Sequence, residues 1–199
     1  MSENTIKNKI TRSVHDRASL LTESAEYIAE MAEKISLVFS ASLSNGGRLF
    51  FCGNGGSAAE SQHMAAEYCA TLDHNKPRKG MRAMALTTDT SFITAWSNDF
   101  GYEGIFLRQL ETLASGGDVM IAYSTSGNSK NICLAAEYAS KNNISVIGFT
   151  GNHESTSLEK FSDILFKAPS NSTPIIQEIH TIAGHEICHL VEKKLFNFS

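Results

Sequence analysis

Residues 50–69 read FFCGNGGSAAESQHMAAEYC, an apolar run that breaks into glycines and then into a helical pattern. Gly53, Gly55 and Ala58 fit the spacing G-x-G-x-x-[GA]. A strand, a glycine loop and a helix in that order present unpaired backbone N–H groups to an anion. In the same helical stretch His63 and Glu67 stand four residues apart and so share a face. Three chemistries are compatible with this stretch: dinucleotide binding, a metal centre, or phosphate binding with acid–base work beside it.

Outward from this stretch the pattern alternates. Upstream, Ile6, Ile10 and Val14 recur at helical spacing, and so do Ile28, Met31, Ile35, Val38 and Phe39 before Asn45-Gly46-Gly47. A pair of N-terminal helices over residues 1–45 is the expectation. Downstream, RLFFCG, AMALT, DVMIAYS, SVIGFT and DILFKA read as five buried strands. Helical patterns lie between them at Ser57–Leu72, Tyr102–Leu113 and Ser129–Asn142, and a long helix closes the chain over Thr173–Phe196. Such alternation predicts an α/β fold, a doubly wound, mostly parallel five-stranded sheet with helices on both faces. Residues 1–199 then form a single domain, with 46–199 as its α/β core.

Composition narrows the partners. The chain has 199 residues, 42% of them hydrophobic, and a formal net charge of -4. Without clustered Lys and Arg, neither nucleic acid nor an anionic membrane is an expected partner. No apolar run reaches the ~20 residues of a membrane span, and MSENTIKNKITRSVHDR is too polar for a secretion signal. Cys52, Cys69, Cys133 and Cys188 show no C-x-x-C spacing and read as reduced thiols. A cytoplasmic location is expected.

Two loops at strand ends carry anion-binding chemistry: Gly53-Asn54-Gly55-Gly56-Ser57 and Ser124-Thr125-Ser126-Gly127-Asn128-Ser129. Glycines admit close backbone approach, and the hydroxyls and helix N-termini donate to anion oxygens. The bland alternative is that Ser57 and Ser129 only cap helices. Dinucleotide binding would also need an acidic residue about 20 positions on, at the end of a second strand. The nearest candidate, Asp73, lies in the polar run TLDHNKPRK, and the second loop would be left without a purpose. No nucleotide cofactor is expected.

The closing helix carries Gln177 and His185, eight apart on nearly one face, along with His180 and His189. A histidine on an apolar helix is more often structural than a ligand, and that reading is kept for His180 and His189. His185-Glu186-Ile187-Cys188-His189 spells the H-E-x-x-H of zinc proteases. Such sites need a third ligand, and the one candidate, Glu192, is a single turn farther on a helix rich in Ile and Leu.

Taken together, CGNGGSAAESQHMAAE, SNDFG, STSGNS and IQEIHTIAGHEI resemble the phosphoheptose isomerases of the sugar-isomerase (SIS) domain superfamily. The resemblance runs from Ile6 to Leu195 with the motifs in family order, and it implies a flavodoxin-like sandwich. It also implies a homotetramer with sites at subunit interfaces. The implied reaction converts D-sedoheptulose 7-phosphate to D-glycero-D-manno-heptose 7-phosphate, toward the ADP-heptoses of lipopolysaccharide cores. Family roles fall on Asn54, Gly55, Gly56, Ser57, Asn98, Asp99, Ser124, Thr125, Ser126 and Ser129 as substrate contacts. Glu67 and His185 match an acid–base pair. His63, Glu67, Gln177 and His185 match a zinc site described in some members, and Glu67 and Gln177 are also substrate contacts. Several members carry Arg where Thr71 stands, and some carry Asp where Pro174 stands; both positions are expected to border the pocket. Rivals are a non-catalytic SIS module that senses a sugar phosphate or binds a replication initiator, and an isomerase of another sugar phosphate.

Overall fold

The computed structural model describes residues 5–198. All five apolar runs become strands of one parallel sheet: β1 (Leu49–Gly53), β2 (Ala83–Ala85), β3 (Val119–Tyr123), β4 (Ser145–Thr150) and β5 (Ile164–Lys167). Their order is β2-β1-β3-β4-β5. Side chains alternate across a strand, so β1 divides its residues between two cores. Leu49 and Phe51 join helices α1 (Ile6–Ser44), α2 (Gly56–Cys69) and α6 (Thr173–Phe196) on one face. Phe50 and Cys52 join α4 (Ile105–Leu113) and α5 (Lys130–Lys141) on the other. The fold is doubly wound, as the alternation requires. Among the described residues no helix is long and apolar enough to cross a membrane.

Two expectations are corrected. The N-terminal pair of helices is one continuous helix, α1, of 39 residues and roughly 58 Å at about 1.5 Å per residue. No Gly or Pro interrupts residues 6–44. The lapse in apolar periodicity marks a change of surroundings, with Ile6, Ile10 and Val14 exposed and Ile28, Met31 and Ile35 buried. A further helix, α3 (Thr90–Phe100), went unassigned in the sequence. Asp89 starts it by accepting from the Phe92 N–H at 2.9 Å. None of its residues is fully buried, but Ile93 and Trp96 pack against the second core. The helical spacing of Phe92, Ile93, Trp96 and Phe100 was the available signal. The turn Tyr102–Gly104 is 3-10 rather than the start of α4.

Parallel register matters most at the carboxyl ends of β1 and β3. Gly53 lies opposite Tyr123, so both glycine- and serine-rich loops leave the sheet side by side. This is where the strand order reverses, the position at which such sheets bind ligands.

His180 keeps the structural part expected of it. It is buried against Tyr123, Phe149 and Phe166, with Nε2 donating to the Thr150 carbonyl at 3.1 Å. Burial pushes its imidazole from 6.5 down to about 4, against the pull of the Thr150 carbonyl. The folded state therefore holds the neutral ring, while the unfolded chain protonates near its ordinary value. The stabilisation is complete above about pH 6.5 and is lost as pH falls toward about 4, a loss of roughly 3 kcal/mol. In denaturant titrations at pH 7 and pH 4.5, wild-type protein should lose about 2–3 kcal/mol more than His180→Phe; equal losses would exclude this origin.

Candidate functional site

The two loops are joined by a side-chain network. Asn54 Nδ2 donates to Asn131 Oδ1 at 2.9 Å, and Asn54 Oδ1 accepts from Asn131 Nδ2 at 2.9 Å and from the Tyr102 hydroxyl at 2.8 Å. Asn131 lies in the first turn of α5, so the first loop is tied to the helix that opens at the second. The capping alternative holds by position for Ser129 and not for Ser57. Gly55, not Ser57, occupies the cap position of α2, and Ser129 caps α5 by position without a side-chain bond. Ser129 Oγ instead accepts from Ser124 Oγ at 3.1 Å. Ser126 is exposed, its hydroxyl accepting from the Asn128 N–H at 3.2 Å. Thr125 stands between them, its carbonyl accepting from the Gly151 N–H at 2.9 Å.

A cavity of about 400 Å³ opens between the N-terminal halves of α2 and α6, bordered by Gly56, Glu60, His63, Pro174, Gln177 and Thr181. At its end the helices bring together the residues expected to act. His63 Nε2 and His185 Nε2 are 2.8 Å apart, and His63 Nδ1 is 3.8 Å from Glu67 Oε1. The three side chains offer ligand atoms all within 4.8 Å of one another. Gln177 reaches the same region from α6, because a Cβ on Gly56 would sit 2.5 Å from its Nε2.

Two neutral imidazole nitrogens at this distance either share one proton or both accept a cation. Two nitrogens and a carboxylate oxygen, with the Gln177 amide nearby, suit a divalent transition metal. The residues fit such an ion.

Other expectations fare differently. Asn98 and Asp99 lie exposed in the last turn of α3, where Asn98 Nδ2 donates to Asp99 Oδ1 at 2.8 Å. Among the described residues their side chains bond only to each other. Pro174 borders the cavity, but Thr71 does not. Its hydroxyl donates to the Asp73 and Lys76 carbonyls in the loop after α2. Asp73 is bound up in that loop, accepting from the Asn75 N–H at 2.9 Å, and follows helix α2 rather than a strand. His189 is exposed, and among the described residues it does not join His185 in a metal-ligating group.

Sequence reasoning missed Glu60. It lies three residues before His63 on the same helical face, and that spacing was the available signal. Its Oε2 accepts from the Thr181 hydroxyl at 2.7 Å, and Oε1 has no partner among the described residues. Burial pushes this carboxyl's pKa up, against the pull of Thr181, His63 and His185. This carboxyl borders the cavity.

With this geometry in view, comparison with known proteins is decisive. Residues 14–151 match the family model described as SIS domain. The phosphoheptose isomerase of Burkholderia pseudomallei (strain 1710b) is 41% identical over 191 residues, which is 96% of this chain and 94% of that protein. The chain belongs to the phosphoheptose isomerase family. The family's solved structures agree. Phosphoheptose isomerase GmhA from Neisseria gonorrhoeae superimposes with a TM-score of 0.87 at 32% identity, over 95% of this chain and all of that one. That from Francisella tularensis gives 0.89 at 29% identity, over 96% and 100%. Gln177 and His185 fall outside the residues matched by the SIS model, so the general domain supplies the loops and α2, while α6 completes the cluster.

Gly56→Ala tests the close approach of Gln177. The new methyl group must displace the Gln177 amide, yet it sits in the first turn of a helix that tolerates alanine. Turnover should fall about 10-fold to 100-fold, as for other misplacements near 1 Å, with the melting temperature unchanged. Unchanged turnover would mean that the Gln177 amide takes no part.

Proposed function

We propose that the protein interconverts D-sedoheptulose 7-phosphate and D-glycero-D-manno-heptose 7-phosphate through a cis-enediol. One observation carries this reading: a carboxylate and two imidazoles, from helices far apart in sequence, meet beside a cavity that the glycine-rich loop borders at Gly56. Family membership supports the same chemistry.

The phosphate belongs in the loop Ser124–Ser129, where Ser124, Thr125, Ser126 and Ser129 supply hydroxyls and α5 its N-terminal amides. Asn54, Gly55, Gly56 and Ser57 line the neighbouring loop. Holding the far end of the sugar positions the reacting carbons at the cluster. Glu67 removes the proton from C1 of the ketose, the C1–C2 double bond forms, and the carbonyl oxygen at C2 takes up a proton. The proton then returns to C2 while the hydroxyl at C1 gives up its own to become the aldehyde. His185 serves the two oxygens in these transfers. Asn98 and Asp99 are assigned the substrate hydroxyls. His63, Glu67, Gln177 and His185 would hold zinc, which when bound supplies Lewis-acid polarisation of a sugar oxygen. The product fits a step toward ADP-heptose precursors, and the whole of 1–199 is taken to act as one SIS unit.

Glu67→Gln keeps the side chain's shape and removes its ability to accept a carbon-bound proton. Turnover should fall about 10²–10⁴-fold, and NMR should show no wash-in of solvent deuterium at C1, where wild-type protein exchanges readily. Metal analysis of the same preparations tests the zinc assignment. A metal-free wild type whose activity ignores chelator would leave only the acid–base pair, and a Glu67→Gln protein that isomerises normally would put the base elsewhere.

We also infer a homotetramer with sites between subunits. Ile6, Ile10 and Val14 on α1 are 79%, 60% and 57% exposed, and Phe100 at the end of α3 is 71% exposed. A lone chain would leave this apolar surface wet. Sedimentation should give a tetramer; a stable, active monomer would end the inference.

A further inference from the structure

We propose that Arg78 and Glu192, a buried ion pair outside the cluster, are positioning residues that set Glu67 and His63 against His185. The inference rests on the isomerase reading above for its kinetic consequence.

Helix α2 ends at Cys69 with no basic residue in its last turn, so its final carbonyls lack a local partner. Arg78, in the loop beyond, folds back to supply one. Its NH2 nitrogen donates to the Glu67 carbonyl at 2.8 Å, and NH1 donates to the carbonyls of Tyr68 at 2.9 Å and Ala70 at 3.1 Å. The same planar group turns its Nε to Glu192 Oε1 at 2.7 Å, and that oxygen also accepts from the Leu72 N–H at 3.0 Å. Glu192 stands on α6, seven residues and two turns past His185, on the same face. Phe196 covers the guanidinium, with its ring centroid 5.5 Å away. The two side chains are 1% and 3% exposed.

One guanidinium therefore holds the backbone of Glu67 with one edge and the helix of His185 with the other. Stability alone gives no reason for this arrangement, since a buried ion pair is often replaced by apolar residues without loss. Only a rigid planar fork reaches carbonyls and carboxylate together; a lysine offers a single point of donation. The positive charge also sits at the negative end of the α2 dipole. Neither residue bonds to a side chain of the cluster, so any effect on turnover must pass through helix placement.

The test compares wild-type protein, Arg78→Lys and the double variant Arg78→Met/Glu192→Met. The double variant removes both charges, so it avoids the unpaired carboxylate that Arg78→Met alone would bury. We expect its melting temperature to fall, because the carbonyls of Glu67, Tyr68 and Ala70 and the Leu72 N–H lose their partners. Measured well below that temperature, its kcat should fall at least 10-fold and its KM should stay within threefold. Its crystal structure should show the His63 to His185 separation lengthened from 2.8 Å to beyond hydrogen-bonding distance. Arg78→Lys should fold normally with an intermediate kcat. A double variant with wild-type kcat, or with an undisturbed cluster, would overturn the proposal. Should that variant fail to fold, a wild-type kcat in Arg78→Lys would do the same. A wild-type protein that neither isomerises sedoheptulose 7-phosphate nor exchanges its C1 proton would defeat the functional reading instead. The crystal structure of the double variant would still decide the clamp.

Discussion

Helices α2 and α6 pack tightly at Gly184, where a Cβ would lie 2.5 Å from the Met64 sulfur. The neighbours of these two residues are His185 and His63, so the packing contact and the 2.8 Å contact between imidazoles are consecutive in both chains of atoms. Any larger residue at 184 would have to displace the Met64 side chain or the helix that carries it. The cluster therefore sits beside a point of close packing. The glycine removes side-chain volume, methionine fills it, and the polar residues next in line are left facing one another.

The sheet fixes the other half of the site. Parallel pairing of β1 with β3 places Gly53 opposite Tyr123, and the Asn54–Asn131–Tyr102 network then holds the two loops at constant separation. A phosphate seated in one loop thus has a set reach to groups carried by the other. Such linkage suits a substrate with its charge at one end and its reactive carbons at the other, because binding energy at the phosphate can be used for alignment.

The site is assembled from parts of different generality. The SIS match ends at residue 151, and it contains both loops, His63 and Glu67. Helix α6 lies beyond it and brings Gln177, His185, Thr181 and Glu192. The grouping of His63 and Glu67 with His185 thus depends on a helix that lies beyond the matched SIS residues. The buried carboxyl of Glu60, held by Thr181 of α6, depends on that same helix.

Much of this was legible in the residues themselves. Strands buried on both faces appear as unbroken apolar runs, and all five were found. Helix α6 was read with its bounds because proline in its first turn and continuous apolar periodicity mark it locally. The pairing of His63 with Glu67 follows from helical geometry alone. Wherever the deciding contact was distant in sequence, the residues were silent. One helix in place of two, the loop-bound Thr71 and the Arg78–Glu192 pair all depend on what packs against them. Periodicity reports which face of a segment is apolar, since that is a property of a few adjacent residues. It carries no information about which other segment covers that face. The meeting of His63 with His185, 122 positions apart, was decided by the packing of two helices on one side of the sheet.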